Sequence, residues 1–284
     1  MTDNATILRL EHLTLGYPGR GDVFRDLGAT LRRGELVSLL GANGSGKSTL
    51  LKALAGNLRP SCGMVEVEGR NLATLPAMAR ARLVSIVTTE KGMAGGLTVE
   101  ELVAMGRYPH TGALGRHTTA DRRITASAID AVGLTPLAGR LTATLSDGER
   151  QKAMIARALA QDTPVMLLDE PTAFLDAASR IETLSLLRDL AAEHSKAILL
   201  STHDISPALR LSTRLWLVKP TTSANPTPDA STCQAPKPSA TDSPLSTLIT
   251  GTPAELAASP DGLPSLFPGR AVRFSPSTSE YLPL

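Results

Sequence analysis

A lysine and two hydroxyls set behind a run of glycines are the first residues whose types and spacing suggest chemistry. GANGSGKST, residues 41–49, follows the apolar run ELVSLL (35–40) and leads into the helix-like LLKALAG (50–56). Glycines let the chain wrap so that successive backbone amides converge on an anion, and a helix starting immediately afterwards adds the positive end of its dipole. In that frame Gly41, Asn43, Gly44, Ser45, Gly46 and Thr49 belong to a phosphate cradle. Lys47 reaches the β- and γ-phosphates, and the Ser48 hydroxyl ligates Mg²⁺.

Carboxylates supply the second half. VMLLDEPTAFLD (165–176) carries Asp169 to the end of an apolar strand and follows it at once with Glu170. Asp169 is placed to hold Mg²⁺ through its waters, and Glu170 to orient and polarise an attacking water. His203, in LLSTHD (199–204), reaches the γ-phosphate from the end of a third strand. Together these residues describe hydrolysis of a nucleoside triphosphate.

The elements that must hold them alternate. Residues 35–40, 165–169 and 197–201 read as buried strands of a mostly parallel α/β sheet, between longer helix-like stretches. Residues 7–17 and 23–31 read as an antiparallel pair around a turn with Pro18, Gly19 and Gly21. A helical subdomain is expected at about 91–160. Residues 220–244 contain 15 Pro, Ser or Thr among 25 and no large apolar side chain, so a disordered insertion is expected between strand-like 215–218 and 247–250. Lengthening a short turn to that size costs only about 1.5 kcal/mol in closure entropy, so the hairpin survives it. The division is one domain over 1–263 and a loosely ordered tail over 264–284.

Composition excludes several classes. The chain has 284 residues, 42% hydrophobic and 20% charged, with a formal net charge of +2. It therefore has no general attraction to nucleic acid or anionic lipid. No run approaches the roughly 18 apolar residues of a membrane span, and the N-terminus lacks the pattern of a secretory leader. Cys62 and Cys233 lack metal-ligand spacing and are expected as free thiols in a reducing compartment.

LSDGERQ (145–151), ahead of the helix-like KAMIARALAQ, resembles the LSGGQ signature of ATP-binding cassette (ABC) ATPases. The phosphate loop then corresponds to Walker A, 165–170 to Walker B, His203 to the switch histidine and 174–176 to the D-loop, with Asp176 as its acid. The resemblance covers roughly residues 5–260. It implies a P-loop fold with an antiparallel β subdomain and an inserted helical subdomain, and ATP with Mg²⁺ as ligands. It also implies that two copies sandwich each nucleotide. Ser146, Asp147, Gly148 and Glu149 would then face the γ-phosphate in trans, from the start of the signature helix, and Tyr17 would stack on adenine as the A-loop aromatic.

Two departures stand out. Asp147 replaces the usual signature Gly, so its carboxylate must point away or pair with a base, Arg150 being the candidate. Glu90 stands where the family has a Q-loop Gln; it is carried over as catalytic sensor and metal ligand, able to accept but not to donate a hydrogen bond.

LTVEELVAMGRYPHTG (97–112) is similar to the helical segment of iron-siderophore, haem and cobalamin importer ATPases. That implies a peripheral subunit on the cytoplasmic face of the membrane, bound to separate permease subunits and indirectly to a substrate-binding protein, with no nucleic acid. His110 and His117 read as surface histidines rather than ligands. The alternative is a cytosolic iron–sulfur assembly ATPase without a permease.

Overall fold

The computed structural model describes residues 5–19, 21–88, 96–112, 115–220, 245–259, 261–266, 272–275 and 280–283. Glu90, Cys233 and residues 221–244 lie outside the described residues. The chain forms two compact units, one of Met1–Arg32, Val37–Thr74 and Ser201–Leu284, the other of Arg33–Leu36 and Leu75–Leu200.

The first unit opens with two long strands, β1 (Thr6–Tyr17) and β2 (Gly21–Arg32), paired antiparallel and closing at Tyr17↔Gly21. Leu8, Leu10, Leu13 and Leu15 of β1 are all buried, although the three-residue step from Leu10 to Leu13 would turn a regular strand over. His12 absorbs the extra residue in a left-handed conformation (φ 47°), and Asp26 (φ 53°) makes the matching bulge on β2. The two side chains meet at 2.7 Å, His12 Nδ1 to Asp26 Oδ1.

β3 (Leu36–Gly41) is buried from Leu36 to Leu40 and runs through the phosphate loop into α1 (Lys47–Leu54). β4 (Cys62–Val67) flanks β1 and is extended by the short β5 (Arg70–Asn71). Cys62 is disulfide-bonded, which overturns the expectation of free thiols. Cysteine number and spacing do not reveal such a bond, so the compartment inferred from free thiols loses its basis.

The second unit begins with α2 (Ala77–Ala81) and β6 (Val84–Val87), a strand not foreseen in the sequence because four residues carry too little pattern. It continues through α3 (Val99–Ala104), α4 (Thr119–Ala131) and α5 (Asp147–Ala160) to β7 (Val165–Leu168), α6 (Ala177–Glu193) and β8 (Ala197–Ser201). β6, β7 and β8 are parallel, in register at Ile86↔Leu167 and Leu167↔Leu199. Every residue of β7 and β8 is buried, as parallel strands covered on both faces require. Alanines 153, 156, 158 and 160 are buried on α5, and a Cβ at Gly106 would run into the Arg157 carbonyl, so the α3–α5 segment packs at close range.

A buried ion pair pins these helices. Arg107 Nε donates to Asp121 Oδ1 at 3.0 Å, and Arg107 also donates to the Ala160 carbonyl at 2.8 Å. The Thr118 hydroxyl and amide also donate to the Asp121 carboxylate, forming the capping box of α4.

The chain returns to the first unit with α7 (Ile205–Leu211), β9 (Arg214–Pro220), β10 (Ser246–Gly251) and α8 (Pro253–Ala258). β9 and β10 are antiparallel partners, as expected of the two ends of the insertion, and β9 is parallel to β3. Strand order here is β5-β4-β1-β2-β10-β9-β3, with Trp216 of β9 fully buried. In the segment expected as a loose tail, β11 (Val272–Ser275) pairs antiparallel with β12 (Glu280–Pro283).

Candidate functional site

In the first unit the loop between β3 and α1 is shaped by three glycines for different reasons. Gly44 (φ 78°) has open space where a Cβ would be, so only its left-handed backbone requires glycine. Gly46 caps α1 at φ 104°, and a Cβ there would also stand 2.7 Å from Val23 Cγ1 and 2.8 Å from the Phe24 ring. At Gly41 the constraint is proximity alone: a Cβ would lie 2.7 Å from Ser45 Oγ and 2.7 Å from the Val218 carbonyl oxygen. Glycine at these three places therefore sets the course of the loop.

Polar groups inside it are poised for an anion. Lys47 is buried, and its ammonium donates to the carbonyls of Gly41 at 2.8 Å and Ala42 at 3.1 Å. The buried Ser45 hydroxyl has no hydrogen-bond partner among the described residues, a costly state that a phosphate oxygen would relieve. Ser48 is exposed on the first turn of α1, where no acidic residue competes with an anion for the helix end. Asn43 is exposed on the loop. Tyr17, at the end of β1, bonds Thr49 of α1 at 3.3 Å between hydroxyl oxygens. His203 belongs to the same unit: the Thr202 amide donates to the Leu39 carbonyl at 3.1 Å, so its segment leaves beside the strand that feeds the loop. His203 is exposed, with Nε2 4.0 Å from Asp204 Oδ1.

The second unit carries the carboxylates. Asp169 follows β7 directly and its amide donates to the Val87 carbonyl at 2.8 Å. Glu170 is half-buried and sits at φ 48°, a left-handed conformation that costs a non-glycine residue about 1–2 kcal/mol. The same conformation serves the strand bulges at His12 and Asp26; at Glu170 it fixes where the side chain leaves the backbone and marks it as a candidate for function. Asp176 caps α6, accepting from the Ser179 amide and hydroxyl, both at 2.9 Å, and these bonds hold its carboxyl below the usual range.

The signature segment begins α5. Ser146 is the N-cap of a complete capping box: the Glu149 amide donates to its hydroxyl, while its own amide and hydroxyl donate to Glu149 Oε2, both at 2.8 Å. Those bonds lower the Glu149 pKa, with Arg140 and Lys152 adding smaller pulls. Arg150 donates to Asp147 Oδ1 at 3.2 Å, the pairing expected for the acid that replaces glycine. Its other arm donates to the Leu145 carbonyl at 3.1 Å. A Cβ on Gly148 would meet nothing closer than Ser179 Oγ at 3.5 Å, an ordinary contact.

Each unit thus assembles part of the predicted set: Tyr17, the loop and His203 in one; Asp169, Glu170, Asp176 and the signature in the other. Glu90 lies outside the described residues. His110 and His117 are half-buried rather than surface residues, because His110 Nε2 bonds the Gln161 carbonyl at 2.8 Å and the His117 ring packs on Tyr108. No cluster of three metal-ligating side chains occurs among the described residues. The Ser146–Glu149 box is itself legible in the sequence, S-x-x-E being its written signal.

Residues 24–173 match the profile of the ABC transporter family. An uncharacterised ABC transporter ATP-binding protein of Methanocaldococcus jannaschii is 42% identical over 213 residues, covering 75% of this chain and 73% of that protein. The ferric enterobactin transport ATP-binding protein FepC of Escherichia coli is 39% identical over 215 residues, 76% of this chain and 79% of that protein. Among solved structures, an inward-facing ABC transporter described as of the metal-chelate type matches with TM-score 0.74 at 27% identity over 98% of both chains. The structure of cbiO1 from Clostridium perfringens, part of the ABC transporter complex cbiONQ, matches with TM-score 0.68 at 27% identity, over 75% of this chain and 85% of that one. With its α/β architecture and phosphate loop, the chain belongs to the ABC transporter family and is an ATPase.

Proposed function

We propose that the chain is the ATP-hydrolysing subunit of a membrane importer for iron-siderophore, haem or cobalamin-type chelates, and that two copies close around ATP to drive it. Relatives at about 40% identity support the substrate class, being named for ferric enterobactin, cobalamin and siderophore transport. The reading, resting on relatives named as transport ATP-binding proteins, places the chain on the cytoplasmic face against permease subunits; no helix among the described residues is long and apolar enough to cross a membrane.

In this reading the phosphate loop holds the triphosphate through its amides, Lys47 and Ser45, and Tyr17 stacks on the base. Ser48 and Asp169 are each proposed as hard oxygen donors of the kind Mg²⁺ takes, and Glu90 as a sensor. Bound Mg²⁺ would neutralise charge developing on the transferring phosphoryl group. Glu170 accepts the proton of the attacking water, its strained backbone fixing where the carboxylate points, and His203 donates to the γ-phosphate. The Asp176 cap holds the D-loop against α6.

Gly148 carries the two-copy reading. Its amide and that of Asp147 donate to no described acceptor, and among the described residues a Cβ there would meet only Ser179, at ordinary contact distance. A glycine that its own fold does not require is explained by a ligand arriving from outside, here the triphosphate held by a second copy. Phe174 and Ile181, 60% and 56% exposed at the D-loop and on α6, give the same unit apolar surface for that copy.

The test uses Glu170→Gln. With Mg²⁺ and ATP it should run as a dimer by light scattering and revert to monomer on ATP removal, while Glu170→Gln/Gly148→Asp stays monomeric. A monomer in both would overturn the sandwich. Detergent extracts of cells with tagged wild type should yield a co-purifying permease; recovery from the soluble fraction alone would favour the cytosolic iron–sulfur assembly alternative.

A further inference from the structure

Asp147 puts a carboxylate at the first position of α5, beside the two amides that remain open there. A carboxylate so placed can fold back onto those amides and compete with any incoming anion. In this chain it does not. Arg150, one turn later, draws Asp147 Oδ1 to 3.2 Å from its guanidinium and anchors the other arm on the Leu145 carbonyl at 3.1 Å. Glu149, the second acid of the turn, is occupied in its bonds to Ser146.

We infer that Arg150 is a positioning residue for the trans nucleotide contact: by clamping Asp147 away from the Asp147 and Gly148 amides and balancing its charge, it keeps the start of α5 receptive to a triphosphate. This rests on the two-copy reading above. Arg150 acts through Asp147, not on the nucleotide. The pair is largely solvent-exposed, with side chains 38% and 57% accessible, so it adds little to folding. Its effect falls on binding an anion at a helix start where the Asp147 carboxylate would otherwise stand unpaired.

The experiment measures steady-state ATP hydrolysis by the full chain in its isolated transporter complex, across ATP concentrations and at low and high salt. Arg150→Ala should raise KM for ATP roughly tenfold with a smaller change in kcat, and added salt should narrow the gap by screening Asp147. Arg150→Lys should recover part of the loss. Asp147→Gly should lower KM, and Asp147→Gly/Arg150→Ala should match Asp147→Gly rather than Arg150→Ala. Melting curves of all variants should agree within about 2 °C. If the double variant is as impaired as Arg150→Ala, Arg150 acts through the Leu145 carbonyl alone and the inference is overturned. If Arg150→Ala leaves KM unchanged while Gly148→Asp abolishes hydrolysis, the inference fails and the sandwich stands. If Gly148→Asp is also harmless, both fall.

Discussion

The Tyr17 hydroxyl stands 3.3 Å from Thr49 Oγ1, tying the end of β1 to the first turn of the helix that closes the phosphate loop. The ring is thereby fixed beside the loop while remaining half-exposed, the state required of a stacking platform. Replacing Tyr17 with Ala should weaken ATP binding by about 1–3 kcal/mol, or roughly 5- to 150-fold in Kd. Tyr17→Phe keeps the ring and loses only the tether, so it should cost less. Equilibrium titration with a fluorescent ATP analogue measures both, and equal losses would show that the tether, not the ring, matters.

Gly44 and Gly46 offer a graded test of the loop. Gly44→Ala meets open space, so it should cost only the left-handed backbone penalty of about 1–2 kcal/mol. Gly46→Ala adds a collision with Val23 and Phe24 to the same penalty, and should destabilise further and displace the N-terminus of α1. Thermal melts should rank wild type, Gly44→Ala, then Gly46→Ala. Lys47→Ala should abolish detectable ATP binding, because its buried ammonium, bonded to the Gly41 and Ala42 carbonyls, is the cation held within the loop.

Glu170 combines strain with a proposed role, and the two separate by substitution. Glu170→Gln keeps the backbone and should lose about 10²-fold or more in hydrolysis while still binding ATP. Glu170→Gly removes the side chain but accepts φ 48° without strain. It should be equally inactive, yet exceed Glu170→Ala in stability by about 1 kcal/mol, near 2–4 °C in melting temperature. A Gly variant melting below the Ala variant would mean that the left-handed conformation carries no cost there.

What the sequence discloses depends on how far apart the cooperating groups lie. The phosphate loop is legible because its requirements are local: glycine where the backbone turns or is crowded, lysine next to the helix start. The Asp147–Arg150 pair is legible for the same reason, being one helical turn apart. The strain at Glu170 is not, because side-chain identity carries no record of φ; a glutamate in a left-handed turn reads like any other. Nor is Arg107–Asp121, whose members are 14 residues apart and meet only once α4 packs. The T-x-x-D of Thr118 and Asp121 does announce the helix start, but not the arginine that arrives at it. The bulges at His12 and Asp26 fall between these cases, visible only as a three-residue step in the leucine pattern.

That buried pair sets a pH dependence for the second unit. Bonds from the Thr118 hydroxyl and amide, followed by the bond and charge of Arg107, outweigh burial and hold the Asp121 carboxyl at about 2, below its ordinary 3.8. Above about pH 4 the group is ionised whether the chain is folded or not, so its full stabilisation is present. As pH falls from 4 towards 2, the unfolded chain takes up a proton that the folded chain refuses, and stability declines. Asp121→Asn removes this contribution and leaves Arg107 buried without its counter-charge, which should cost about 3–5 kcal/mol at neutral pH. Between pH 4 and 2 the variant should therefore lose melting temperature less steeply than wild type, all other carboxyls being common to both. Thr118→Val, which deletes the strongest single bond but keeps Arg107 paired, should fall between them at both ends of the range. Parallel slopes for wild type and Asp121→Asn would mean that other acids, not this pair, govern acid unfolding.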